Sequence, residues 1–234
     1  GSVTVICSDK TGTLTENRMQ VEQIWLIDET ARAQLLQAAA LNNDASDGEN
    51  PRGDPTELAL LYAARAGGID IDALRAAHAR INELPFDSER ARMTTLHRID
   101  TELVAYCKGA PESVLPLCSG GFNGAALDTQ AVLSNASEMA QRGLRVLAFA
   151  RKRVADQHIG AALQTDDLTQ LEQGMELLGL TGMLDPPRQE ALAAVRECRG
   201  AGMVPVMITG DHPQTALAIA QRLEIVSDGN NAVL

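Results

Sequence analysis

The chain has 234 residues, 45% of them hydrophobic and 22% charged, with a formal net charge of -11. That composition suits a folded chain of one large or two modest domains and excludes a disordered or low-complexity protein. The acidic balance argues against a nucleic-acid backbone as partner, and no apolar run approaches the ~18 residues of a membrane span.

Residues 3–8 form a β-branched apolar run that reads as a buried strand, ending at Asp9 and a Thr/Gly loop. A second strand is expected over 19–27 and a helix over 30–41, followed by a polar loop over 42–54. Asp54-Pro55 is a good helix start, a cap followed by proline in the first turn, and leads residues 56–66 into a helix. Strands are expected over 79–84, 92–99 and 103–107, the last two joined by a hairpin at Asp100-Thr101. A short helix opens at 109–112, a longer one covers 128–142, and another strand runs over 144–154. From Gly174 the pattern becomes strand 175–184, helix 188–200, strand 203–208, loop 209–211 and helix 213–223.

That last alternation is the grammar of a parallel α/β sheet, and the strand ending in Asp9 carries the same loop chemistry. The expected architecture is therefore a parallel α/β domain, residues 1–16 plus 185–234, interrupted by an inserted α+β domain over 17–184. Cys7, Cys107, Cys118 and Cys198 form no C-x-x-C pair and read as buried reduced thiols. Neither they nor His78, His97, His158 and His212 have the spacing of a metal site.

Two loops carry chemistry. Asp9-Lys10-Thr11-Gly12-Thr13-Leu14-Thr15 places a carboxylate at the carboxyl end of a parallel strand, where ligand crevices form in such sheets. A carboxylate can attack phosphorus and form an acyl phosphate, with Lys10 offsetting charge and hydroxyls and backbone N–H groups holding phosphate oxygens. Thr209-Gly210-Asp211 offers a hydroxyl, a backbone amide and a carboxylate at the end of the second strand.

The segment from Ile6 through Asp9-Lys10-Thr11-Gly12-Thr13 to Asn17 resembles the phosphorylation loop of P-type cation-transporting ATPases. Five more segments fit in order: Gly53-Asp54-Pro55-Thr56-Glu57, Leu84-Pro85-Phe86-Asp87-Ser88, Lys108-Gly109-Ala110-Pro111-Glu112, Asp185-Pro186-Pro187-Arg188, and Met207-Ile208-Thr209-Gly210-Asp211. The second and fourth of the six resemble the type II branch of calcium and sodium/potassium pumps. The resemblance implies a haloacid-dehalogenase-like, Rossmann-type phosphorylation domain interrupted by a nucleotide-binding domain with an antiparallel sheet. It also implies the cofactors ATP and Mg²⁺, a transported cation carried by membrane helices lying outside these residues, and a cytosolic place in an integral membrane protein.

By the same resemblance, Asp9 takes the γ-phosphoryl group, and Asp9 with the backbone of Thr11 holds Mg²⁺. Lys10, Thr209, Gly210 and Asp211 complete the phosphoryl site. Phe86 stacks on adenine, Glu57, Lys108 and Gly109 line the base pocket, and Arg145 reaches the phosphates. Asp185 and Arg188 sit at the hinge, near the ribose and phosphates of the nucleotide when the domains close. Composition agrees in part: two of only three lysines are Lys10 and Lys108, and Phe86 is one of six aromatic residues yet lies in a polar segment.

One position separates enzyme classes. Haloacid-dehalogenase phosphatases carry a second aspartate two places after the nucleophile, which protonates the leaving oxygen and then activates water. Here that place holds Thr11, so an acyl phosphate on Asp9 would persist. Two alternatives are a free-standing phosphatase of that type with a cap domain and a non-catalytic nucleotide-binding module. Two departures from the type II pattern fall at Ser88 and Ala91, where some or many of these pumps carry a basic residue; Arg90 and Arg92 are adjacent and could substitute. The chain alone is expected to bind ATP without turning it over, because the family's later phosphate-site lysine and second aspartate loop do not occur in it.

Overall fold

The computed structural model describes residues 3–154, 168–210 and 213–226. Strand β1 (Val5–Asp9) leads into a tight loop and then β2 (Gln20–Leu26). Helices α1 (Arg32–Leu41), α2 (Pro55–Ala66) and α3 (Ile71–Ala77) follow, then β3 (Arg80–Asp87), β4 (Arg92–Ile99) and β5 (Glu102–Gly109). Helix α4 (Pro111–Val114), β6 (Cys118–Gly121), α5 (Thr129–Gln141), β7 (Arg145–Val154), α6 (Leu168–Leu171) and β8 (Met175–Leu184) complete the middle of the chain. The last elements are α7 (Gln189–Gly200), β9 (Val204–Ile208) and α8 (Pro213–Arg222). No helix among the described residues is long and apolar enough to cross a membrane.

The architecture is a large sheet, antiparallel but for one strand, and a small parallel pair. The large sheet runs β2-β8-β7-β5-β4-β3, with β6 pairing parallel to the first part of β8; among the described residues β1 pairs only with β9. The β4–β5 ladder is regular from Arg92–Gly109 to Ile99–Glu102, closed by the turn at Asp100 and Thr101. Strand alternation splits the interior into two cores. On β5, Leu103, Ala105 and Cys107 face a core shared with α4, α5 and α8, while Val104 and Tyr106 face α1, α2 and α3. Helix α8 belongs to the first core: Ile219, and Leu223 just past the helix end, are fully buried there, and Arg222 pairs with Glu22 of β2 at 2.9 Å.

The helices start where short polar side chains satisfy free N–H groups. Asp54 accepts from the Thr56 N–H at 2.7 Å ahead of Pro55, Asp70 from Ala73 at 3.0 Å, and Asp128 from Ala131 at 3.0 Å.

Two expectations are corrected. The strand over 3–8 is not buried: Val5 is 49% exposed, and Val204 and Ile208 on its single neighbour are 57% exposed, because a two-stranded sheet covers little of its own side-chain surface. Nor is every cysteine buried. Cys7, on that same strand, is exposed, whereas burial pushes the thiols of Cys107 and the half-buried Cys118 up to about 12. His158 and His212 lie outside the described residues; among the described ones no cluster of acidic, histidine and cysteine side chains fits a metal.

Candidate functional site

The parallel register pairs Asp9 with Ile208, so the loops after β1 and β9 leave the sheet side by side. Asp9, Thr11 and Gly210 are exposed at that edge, Thr209 is half-buried and Lys10 is buried. Asp211 lies outside the described residues. Gly12 takes φ +74, which favours glycine, and lets the chain double back. Thr15 closes the loop by donating its N–H to the Lys10 carbonyl at 3.0 Å.

The two chain crossings between this loop and the large sheet are tied together. Thr15, fully buried, donates its hydroxyl to Asp185 Oδ2 at 2.6 Å, and the Arg18 N–H donates to Asp185 Oδ1 at 3.1 Å. The Arg188 guanidinium donates to the carbonyls of Thr15, at 2.9 Å, and Gly12, at 3.2 Å. Asp185 and Arg188 thus brace the crossing and the Asp9 loop through its backbone.

A second cluster lies on the α1–α2 side of the large sheet, at the end where β3 and β5 finish and β7 begins. Lys108, buried, donates to Glu57 Oε1 at 2.6 Å and to the Asn42 carbonyl at 2.5 Å. Burial pulls the Lys108 ammonium below the usual lysine range, opposed by the Glu57 carboxylate. Glu57 sits in the first turn of α2, where the helix dipole favours a carboxylate, and its Oε2 accepts the Asp44 N–H at 3.2 Å. One residue earlier, the Thr56 hydroxyl accepts from Arg145 Nη1 at 2.8 Å.

A bulge in β3 sets which sheet face Phe86 takes. Leu84 pairs with Thr94 but Asp87 with Arg92, so one extra residue is inserted opposite Met93. The insertion moves Phe86 from the Leu84 face to the face of Met93 and its cross-strand partner Lys108. The ring is 66% exposed, so it is not a core residue. Gly109 is required by close approach: a Cβ there would stand 2.5 Å from both the Ala91 carbonyl oxygen and Arg92 Cβ.

Arg90 and Arg92, which adjoin the Ser88 and Ala91 positions, are drawn to a different partner. Arg92 lies on the opposite face, with Thr94, and both guanidinium groups are committed to Glu172, at 2.9 Å from Arg90 and 2.6 Å from Arg92. Thr94 also donates to Glu172, at 2.7 Å. Ala91 occupies the turn at φ +50 and receives the Ala110 N–H on its carbonyl.

Sequence reasoning brought Glu57, Lys108 and Arg145 to this site but missed Asn42, Asp44 and Thr56, whose backbone or hydroxyl groups hold them. Thr56 was within reach, being adjacent to Glu57 in a recognised helix start. The Asn42-Asn43-Asp44 triplet gave only a loop signal.

Residues 31–190 match the family model described as P-type ATPase, cytoplasmic domain N. The chain belongs to the P-type cation ATPases. It is similar to a calcium-transporting ATPase 1 of Bacillus cereus, 40% identical over 97% of the chain and 27% of the relative. A probable cation-transporting P-type ATPase of Mycoplasma genitalium is 38% identical over the whole chain and 26% of its own length. A calcium-transporting ATPase 1 of Lactococcus lactis is 35% identical over the whole chain and 28% of its length. The chain therefore spans little more than a quarter of these P-type relatives.

Proposed function

We propose that this chain is the ATP-binding part, with an adjoining portion of the phosphorylation machinery, of an ATP-driven cation pump of the type II branch. In this reading residues 17–184 bind nucleotide on the cytosolic side of a membrane, and residues 1–16 with 185–234 belong to a haloacid-dehalogenase-like phosphorylation domain. The observation that carries it is the exposed Phe86 ring on the same sheet face as the buried Lys108–Glu57 pair, with Arg145 beside them. An apolar platform next to a few fixed polar groups is what an adenine ring requires, and Arg145 supplies a cation for the phosphates.

The Asp9 carboxylate is exposed at the open end of a parallel pair, beside the Thr209-Gly210 loop. In this reading it attacks the γ-phosphorus while the Thr209 hydroxyl and Gly210 N–H hold the phosphoryl oxygens. One carboxylate and one backbone carbonyl, Asp9 and Thr11, suit Mg²⁺, which keeps several waters and leans on substrate phosphates; when bound it neutralises charge on the transferring group. Thr11 provides no base for rapid hydrolysis, which suits a pump that must change conformation before the phosphoenzyme is lost. That same residue disfavours a free-standing phosphatase. The 234 residues include no second aspartate loop, so the chain by itself is expected to bind MgATP and not to turn it over.

The test is an amide NMR titration with MgATP. Shift changes centred on Phe86, Lys108, Glu57 and Arg145 are expected; a folded chain whose changes avoid this sheet face would overturn the reading.

A further inference from the structure

The carbonyl groups at the end of α1 point to a role for two arginines that bind the segment next to the Lys108–Glu57 pair. A helix C-terminus leaves its last carbonyls without helical partners, and here cations take them. Arg75 donates to the carbonyls of Ala40 at 3.1 Å, Asn43 at 3.1 Å and Ala45 at 2.9 Å. Arg80 donates to those of Leu41 at 3.2 Å and Asn43 at 2.9 Å, and pairs with Asp44 and Glu83, each at 2.6 Å. The one carbonyl between Leu41 and Asn43 is that of Asn42, and it receives Lys108. The Asn42 side chain pins the same point to the sheet through the carbonyls of Met93, at 3.1 Å, and Tyr106, at 3.0 Å.

We propose that Arg80 is a positioning residue of this site: its guanidinium, backed by Arg75, fixes the 40–45 segment so that the Asn42 carbonyl and the Asp44 N–H hold the Lys108–Glu57 pair. The inference rests on the nucleotide-site reading given above for its functional meaning, but its geometry stands apart from it. Lys108 can swing widely on its four-carbon stem, so its placement depends on fixed acceptors around the ammonium. Three of the groups that fix it, the Asn42 carbonyl, the Glu57 carboxylate and, through Glu57, the Asp44 N–H, lie on or against the segment that Arg80 holds. A planar fork with several donors can span Leu41, Asn43, Asp44 and Glu83 at once, which a single ammonium cannot.

The test exploits the presence of only three lysines, Lys10, Lys108 and Lys152, since ¹³Cε/¹⁵Nζ-lysine labelling then gives three signals. In Arg80→Met the Lys108 signal is expected to move toward that of a free lysine side chain while those of Lys10 and Lys152 stay, and the Kd for MgATP to rise about tenfold. Should Arg80→Met not fold, Asp44→Ala decides. It removes one anchor of the guanidinium at an exposed position and should move the Lys108 signal part of the way. An unmoved Lys108 signal in the folded variants overturns the proposal, as does an unchanged MgATP affinity once Lys108 has moved. If Lys108 moves but the parent chain binds no MgATP, the placement of the pair by Arg80 stands and the nucleotide reading falls.

Discussion

Replacing Glu172, which follows α6, by glutamine should destabilise the chain more than removing any single charge from the β3–β4 hairpin it braces. The carboxylate is 2% exposed, and accepts from Arg92 Nε at 2.9 Å and Nη2 at 2.6 Å, Arg90 Nη1 at 2.9 Å, and Thr94 Oγ1 at 2.7 Å. Burial pushes its carboxyl up, but the hydrogen bonds to Arg92 and Thr94 and the two guanidinium charges outweigh that and hold it below the usual range. Removing one partner of a fully buried pair costs ~3–5 kcal/mol. The arginines here are 26% and 18% exposed and glutamine keeps one acceptor oxygen, so about 2–3 kcal/mol is the appropriate figure. At ~2–4 °C per kcal/mol for a chain of this size, Tm should fall by about 4–12 °C.

The sign of the pH effect follows from the lowered carboxyl. Its contribution is complete above the unfolded-state value near 4.5 and disappears as pH falls through the lower folded-state value, so the parent should lose stability there and Glu172→Gln should lose less. Urea unfolding across pH 3–7 measures both effects. A Tm within 1 °C of the parent, with an unchanged acid limb, would refute the clamp.

Other consequences are equally specific. His97 is buried and held near 4, chiefly by burial, so it stays neutral in the folded chain while the unfolded chain takes a proton below about 6.5. Stability should therefore fall by roughly 3 kcal/mol as pH drops from 6.5 to 4, and His97→Gln should flatten that slope. Gly109→Ala should cost ~1–3 kcal/mol and weaken MgATP binding, because its Cβ forces β4 and β5 apart beneath Phe86 and Lys108; denaturant unfolding and a binding titration check the two halves. Asp185→Asn weakens the tie to the Thr15 hydroxyl and the Arg18 N–H, and amide exchange at Arg18 should quicken about tenfold.

What the sequence conveyed was local. The Asp54-Pro55 helix start, the Asp100-Thr101 hairpin and the carboxylate loop at Asp9 all depend on neighbours within a few residues, and each is where it was expected. Helix α3 was missed although Asp70 caps it, because its seven residues offer barely two turns of periodicity. Strand β6, with two glycines in four residues, exists through its pairing with β8 and has little propensity of its own. The β1 run reads the same whether buried or exposed, since a β-branched segment reports strand and says nothing of how many layers cover it. The site shows the same division. Motifs selected Lys108 and Glu57, but their contact across 51 positions and the Asn42 carbonyl behind it come from the fold. The convergence of Arg90 and Arg92 on Glu172 is likewise a long-range contact that comes from the fold.

The most direct test of the nucleotide assignment is a calorimetric titration of the chain with MgATP, run beside Phe86→Ala. Stacking of a base on an aromatic ring is worth ~1–3 kcal/mol, so the variant should bind roughly 5- to 150-fold more weakly. Its Tm should hardly change, because the ring is 66% exposed. Equal affinity of the two proteins, or no binding by the folded parent, would contradict the assignment of Phe86 and the sheet face around it.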